Sequence, residues 1–88
     1  MDWLLNITMF CIYVLQSSKD GLYYIGSTGN LERRLWEHNY GPPEYTARKR
    51  PWVLIYTEEY LTRGEAVKRE RYLKSLRNKR YLKTIMGL

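Results

Sequence analysis

The residues of this 88-residue chain that could do chemistry together are two tyrosines, one arginine, one histidine and one glutamate. Tyr13 and Tyr24 stand on neighbouring predicted strands, so their hydroxyls can reach one face of a sheet if the register allows it. Arg34 and His38 are four residues apart and form one row along a predicted helix. With Glu70, these side chains would form a polar cluster without a serine or cysteine nucleophile. Such a set suits hydrolysis of a phosphodiester by an activated water, in which stabilisation of charge matters more than covalent chemistry.

Each of these side chains also has a purely structural interpretation. Arg34 could be a surface arginine, and His38 could lie at the border of a neighbouring apolar row. Glu70 borders the apolar face of its own predicted helix, where a carboxylate needs an arginine, a lysine or a metal ion as its partner. Arg69 or Lys74 could supply a salt bridge, so the sequence alone leaves both interpretations open.

Three strands and three helices are predicted to position these side chains. The strands are predicted at residues 10–15, 22–25 and 52–56, and the polar turn at 17–21 makes the first two an antiparallel hairpin. The first helix is predicted from an N-cap at Asn30 to about residue 38 or 40, where Gly41 and two prolines end it and open a loop to about residue 50. A capping box at 62–65 opens a second helix to about residue 76, and a third helix is predicted at about 79–86. The order β-β-α-β-α-α predicts an α+β fold, a small sandwich with a three-stranded antiparallel sheet flanked by about three helices.

Composition narrows the class of protein and of partner. Fifteen basic residues against nine acidic ones leave a net charge of +6, which favours an anionic partner. Residues 48–88 hold twelve of the basic residues and only four acidic ones, as expected of a surface that binds phosphates or of a solvated helical face. One cysteine and one histidine exclude a disulfide scaffold and a structural zinc centre.

The apolar N-terminus, residues 1–15, could be a signal peptide or a buried first strand. Asp2 stands where a signal peptide carries a basic residue, and Asn6 and Thr8 interrupt the apolar run. The stretch is also too short to span a bilayer. These features favour a buried strand, a cytoplasmic location and no membrane partner.

The tyrosine triplets and their spacing resemble the GIY-YIG nuclease superfamily. The triplets are Cys11-Ile12-Tyr13 and Tyr24-Ile25-Gly26, and Arg34, His38 and Glu70 follow in the family's order. The resemblance covers about residues 10–80 of what we predict to be a single domain, residues 1–88. It is closest to small stand-alone bacterial members similar to the N-terminal nuclease domain of the bacterial excinuclease, which segment 45–52 also resembles. The chain departs from the pattern at Cys11, where the motif has glycine, and Asn78 is its only candidate for a further asparagine of some members.

The resemblance implies an endonuclease that hydrolyses DNA phosphodiester bonds with one divalent cation, Mg²⁺ or Mn²⁺, and acts on branched or damaged DNA. Glu70 would hold the cation, and Arg34 would bind the non-bridging phosphate oxygens. Tyr13 is the favoured general base, with His38 accepting its proton and Tyr24 positioning the water or the phosphate. The choice between the two tyrosines stays open.

Further residues are expected to hold the DNA backbone without reading bases. Ser27 would donate to a phosphate, and Arg48, Lys49 and Arg50 would bind the backbone, so that binding weakens with salt. The chain has no room for a separate recognition domain, so specificity would come from substrate shape, dimerisation or a partner protein, and the oligomeric state is open. Two alternatives remain: a non-cleaving nucleic-acid-binding module of the same fold acting with a partner protein, and an interaction protein whose basic helix docks on an acidic partner.

Overall fold

Strand β1 (Phe10–Ser17) is the centre of the fold because its side chains are buried on both faces. It lies between β2 (Tyr23–Thr28) and β3 (Trp52–Tyr60) and runs antiparallel to both, in the order β2-β1-β3. A central strand covered on both faces carries a nearly continuous apolar run, as residues 10–15 do. The computed structural model describes residues 9–42 and 45–88.

Three α-helices cover the sheet: α1 (Leu31–Tyr40), α2 (Arg63–Ser75) and α3 (Lys79–Met86). The order of elements confirms the predicted α+β fold with a three-stranded antiparallel sheet. No helix in the described part of the chain is long and apolar enough to cross a bilayer.

The two faces of β1 pack against different helices. Ile12 and Val14 face α2 and α3 and form one core with Leu73 and other apolar residues of those helices. Tyr13 and Leu15 face the opposite way and pack with Trp52 and apolar residues of α1. The chemistry-bearing side chains of β1 therefore lie on the α1 side of the sheet.

Local signals in the sequence define the helix ends. The Asn30 side chain accepts a hydrogen bond from the Arg33 amide at 3.0 Å, and Thr62 forms the predicted capping box with Glu65. A Cβ atom at Gly41 would lie 2.6 Å from the Glu37 carbonyl oxygen, so the chain can leave α1 there only without a side chain. The predictions of these helix starts, and of the third helix at 79–86, are confirmed.

The predicted strands were too short, and one helix was missed. β1 continues to Ser17, β2 lies at Tyr23–Thr28, and β3 continues to Tyr60. The polar end of β3 stays in the sheet because Glu58 pairs with Arg69 of α2, with an oxygen–nitrogen distance of 2.8 Å. A 3₁₀ helix, Tyr45–Lys49, occupies part of the predicted loop. The part of the predicted buried N-terminal strand at residues 1–8 lies outside the described residues.

Candidate active site

A hydrogen-bonded chain of three side chains lies under α1. The Tyr13 hydroxyl is 3.0 Å from His38 Nε2, and His38 Nδ1 is 3.1 Å from Thr46 Oγ1. All three side chains are buried, with Tyr13 only 1% and His38 only 2% exposed. The 3₁₀ helix that carries Thr46 is held in place by Trp52, whose indole N–H donates to the Thr46 carbonyl at 2.9 Å. The imidazole is therefore fixed between two hydroxyl groups.

The register of the β1–β2 pair gives the Tyr13 ring its place. Tyr13 lies opposite Gly26, and a Cβ atom at Gly26 would lie 2.5 Å from the Tyr13 hydroxyl oxygen and 2.6 Å from its Cζ. The ring therefore lies directly over the Gly26 backbone. Any larger residue at that position would displace the phenol from its hydrogen bond with His38.

Tyr24 and Arg34 complete the group on the α1 side of the sheet. Tyr24 pairs with Leu15, so its side chain shares the face of Tyr13, and its ring centroid is 4.7 Å from that of His38. The Arg34 guanidinium lies beside the hydroxyls of both tyrosines and donates to Glu37 Oε1 at 3.2 Å. The structure thus brings together four of the five predicted catalytic side chains.

Glu70 approaches the same site from α2, on the other side of the sheet. Its Oε1 accepts from Ser27 Oγ at 2.5 Å, and its Oε2 accepts from Lys74 Nζ at 2.6 Å. Ser27 pairs with Ile12, so it points towards α2 from the edge strand. The Glu70 carboxylate is nevertheless close enough to Tyr13 to affect the pKa of its phenol. Glu70 thus reaches the group around the edge of β2.

The ionisation of these groups follows from burial and from neighbouring charges. Burial raises the pKa of Tyr13 to about 12, and the charges of Tyr24 and Glu70 act in the same direction against Arg34. Burial alone would lower the pKa of Arg34, but its hydrogen bonds to Tyr13 and Glu37 outweigh burial and raise it. Burial alone would raise the pKa of Glu70, but Lys74 and Ser27 outweigh it and lower that pKa. At neutral pH the site therefore holds a neutral phenol, a cationic guanidinium and an anionic carboxylate.

The donor set at Glu70 suits a hard divalent cation that keeps most of its waters. The carboxylate is ionised, its side chain is 18% exposed, and the Ser27 hydroxyl oxygen is beside it. Oxygen ligands of this kind are those of Mg²⁺, which is commonly bound by one or two carboxylates. No three His, Cys, Asp or Glu side chains among residues 9–42 and 45–88 come close enough to form a metal cluster. The half-exposed Lys74 ammonium occupies the position of a positive charge at this carboxylate.

The three basic residues predicted to hold DNA have different surroundings. Arg50 donates to the carbonyl oxygens of His38 at 2.6 Å and of Gly41 at 2.8 Å, so its guanidinium stabilises the C-terminal end of α1. Lys49 forms an ion pair with Asp20. Arg48 lies in the same 3₁₀ helix, at its basic end. The structural role of Arg50 was not predicted from the sequence.

A family model described as the GIY-YIG catalytic domain matches residues 9–83. This chain belongs to the GIY-YIG family. A UPF0213 protein of Enterococcus faecalis is 47% identical over 72 residues, which cover 75% of this chain and 82% of that protein. A UPF0213 protein of Halobacterium salinarum is 41% identical over 69 residues, covering 77% and 88% of the two chains. The solution structure of a UPF0213 protein from Bacillus halodurans matches with a TM-score of 0.54 at 28% identity, covering 88% of this chain and 82% of that one.

Family membership confirms the resemblance seen in the sequence and indicates a nuclease-type function for this GIY-YIG domain. Two features of its site were missed from the sequence. Thr46 holds the imidazole of His38, and Gly26 makes room for the Tyr13 ring. The second triplet could have signalled the close approach at Gly26, since a glycine inside a strand often marks one. No sequence signal pointed to Thr46, whose contact depends on the 3₁₀ helix.

Proposed function

We propose that this GIY-YIG domain is a divalent-metal-dependent endonuclease that hydrolyses DNA phosphodiester bonds. The observation that carries the proposal is the buried hydrogen bond between Tyr13 and His38, with the Arg34 guanidinium beside it and the Glu70 carboxylate at the edge of the same strand. This set offers a proton acceptor, a phosphate-binding cation and a ligand for a metal ion. It offers no side chain suited to a covalent intermediate.

The proton path begins at the attacking water and ends at His38. A phenol whose pKa is raised to about 12 is protonated at neutral pH, so Tyr13 acts as a base only if it passes its own proton on. His38 Nε2, 3.0 Å away, accepts that proton as the Tyr13 oxygen takes one from the water. This direction requires the ring proton of neutral His38 on Nδ1, where Thr46 Oγ1 accepts it.

Arg34 supplies the positive charge that a phosphoryl transition state needs. Its pKa is raised, so it is cationic at any working pH, and its planar fork matches two non-bridging phosphate oxygens. Its hydrogen bond to Glu37 fixes the guanidinium before the substrate arrives. Tyr24, whose hydroxyl is also beside Arg34, orients the water or the phosphate.

Glu70, with the Ser27 hydroxyl beside it, would hold one Mg²⁺ or Mn²⁺. The ion would stabilise negative charge on the phosphate and on the leaving oxygen. Glu70 is available for this role because Lys74, which neutralises it here, is half exposed and can move into solvent. In this proposal Ser27 orients the carboxylate, in addition to the phosphate contact predicted for it.

The proposed substrate is DNA held through its backbone, with branched or damaged DNA recognised by shape. Twelve basic residues in 48–88 supply the non-specific attraction, to which Arg48 and Lys49 contribute from the 3₁₀ helix. In this proposal, residues 1–88 act as one domain, and a partner protein could direct it to its site.

The test is incubation of supercoiled plasmid and of a branched DNA with the purified protein in Mg²⁺, in Mn²⁺ and in EDTA. We expect nicking with the metals and none in EDTA. Glu70→Gln and Arg34→Gln should each lower the rate by about 100- to 1000-fold, the usual effect of removing one charge-stabilising group from a site. Glu59→Gln makes the same chemical change as Glu70→Gln on an exposed residue of β3 and should leave the rate unchanged.

Equal nicking by the wild-type protein and Glu70→Gln would contradict the proposal and identify the activity as a contaminant. Salt-sensitive DNA binding without cleavage in either metal would instead favour a non-cleaving module of the same fold. The ion pair that occupies Glu70 is the observation compatible with that second function. Absence of nucleic-acid binding at low salt would exclude both functions.

A further inference from the structure

A cleft of about 510 Å³ opens next to the proposed active site, between the end of β2 and the first turns of α1 and α2. Two of its lining residues, Ser27 and Arg34, belong to the site itself. The cleft then extends past Gly29 to Arg63, the first residue of α2. It is therefore continuous with the place proposed for the scissile phosphate.

The charge of the cleft suits an anion. Three guanidinium groups line it, those of Arg33, Arg34 and Arg63, against the single carboxylate of Glu37. Glu37 is already paired with Arg34 at 3.2 Å and with Arg33 at 3.6 Å. Arg63 makes no ion pair with any residue in the described ranges 9–42 and 45–88, and it is the cation of this cleft left for a ligand.

The position of Arg63 is fixed by packing. Its guanidinium carbon lies 4.8 Å from the centroid of the Phe10 ring, and such stacking orients the planar group. A Cβ atom at Gly29 would lie 3.2 Å from Phe10 and 3.7 Å from the Arg63 guanidinium, so the glycine keeps this wall of the cleft open. An arginine held on an aromatic face presents its fork with less loss of conformational entropy than a free lysine.

We infer that this cleft binds the DNA backbone phosphate next to the scissile one, and that Arg63, with Arg33 on the facing wall, is its ligand. The inference rests on the proposed function, because Arg34 and Glu70 define where the scissile phosphate lies. Neighbouring phosphates of a strand follow one another at short, regular intervals, so one of them must lie just outside a site built for the first. The cleft is the basic opening that adjoins Arg34.

The experiment measures binding without cleavage. Fluorescence anisotropy of a labelled branched DNA is followed in EDTA with the wild-type protein, Arg63→Gln, Arg63→Lys and Arg77→Gln. Arg77 is exposed and is not part of the cleft, so it controls for the loss of one charge. We expect Arg63→Gln to weaken binding about tenfold and to reduce the slope of log K against log salt by about one, with Arg63→Lys intermediate and Arg77→Gln unchanged.

A second series locates the phosphate. Single neutral methylphosphonates are placed in turn along the strand, and one position should remove the difference between the wild-type protein and Arg63→Gln while leaving the effect of other positions intact. Thermal unfolding of each variant confirms that it folds, and Arg63→Lys retains the charge if loss of the Phe10 contact destabilises Arg63→Gln.

The inference is overturned if Arg63→Gln behaves like Arg77→Gln, if no methylphosphonate position couples to Arg63, or if DNA is not bound at all. Coupling at one position without cleavage in Mg²⁺ or Mn²⁺ would retain the phosphate site and reject the endonuclease. Cleavage with no coupling at any position would retain the endonuclease and reject the phosphate site.

Discussion

Replacement of Gly26 by alanine tests whether the Tyr13 ring must lie where the structure has it. The added Cβ would be 2.5 Å from the Tyr13 hydroxyl oxygen and 2.6 Å from Cζ, whereas non-bonded heavy atoms pack at about 3.5 Å. The phenol must therefore retreat by about 1 Å. Tyr13 is 1% exposed and packs with Leu15 and Trp52, so the ring has little room to move.

Two measurable effects follow from that displacement. Overpacking of the core should lower the free energy of unfolding by about 1–3 kcal/mol. The 3.0 Å hydrogen bond from Tyr13 to His38 should be lost, and misplacement of a catalytic group by 1 Å costs about 100-fold in rate. Urea denaturation measures the first effect, and the initial rate of plasmid nicking in Mg²⁺ measures the second.

Gly64→Ala is the matched control, because a Cβ at Gly64 in α2 meets nothing within 4 Å. It should stabilise the protein by about 0.5–1 kcal/mol through helix propensity and leave the nicking rate unchanged. Tyr13→Phe gives the second comparison: adding Gly26→Ala to it should cause no further loss of activity. Wild-type stability and rate in Gly26→Ala would refute the close packing of Tyr13 on β2 and the proton path built on it.

The remaining predictions concern four other contacts. Thr46→Val removes the hydroxyl at His38 Nδ1 and should lower the nicking rate about tenfold with an unfolding free energy reduced by about 1 kcal/mol; an unchanged rate would contradict a role for the tautomer. Arg50→Ala should destabilise the protein by about 1–3 kcal/mol in urea, whereas Arg48→Ala should not, because only Arg50 binds the carbonyls at the end of α1. Lys74→Met should lower the Mg²⁺ concentration needed for half-maximal nicking, since the ammonium no longer competes at Glu70; a higher requirement would count against that carboxylate as the ligand. Burial alone would raise the pKa of Glu58, but hydrogen bonds from Arg69, Tyr56 and Tyr60 lower it to about 2; its stabilising contribution is therefore complete above 4.5 and lost as the pH falls towards 2, and the unfolding free energy of Glu58→Gln should fall less than that of the wild-type protein over this range.

Much of the fold follows from signals that act over a few residues. Asn30 and Thr62 mark the starts of two helices because their side-chain oxygens satisfy backbone amides three residues ahead. The run at residues 10–15 predicts a strand because β-branched and aromatic residues fit a pleated, buried surface. The row of Arg34 and His38 beside an apolar stripe indicates which side of α1 meets the sheet, and the structure confirms it. The catalytic roles of these side chains remain predictions.

The order and type of the elements, and the set of side chains able to form one polar site, can be read from the amino-acid sequence. The partners of those side chains depend on tertiary packing. The choice between Arg69 and Lys74 was open, and Lys74 pairs with Glu70 while Arg69 pairs with Glu58 of β3. Gly26 lies under Tyr13 only because of the strand register, which a polar turn of several residues does not fix. Local signals are carried by neighbouring residues, whereas contacts between distant segments depend on how whole elements pack.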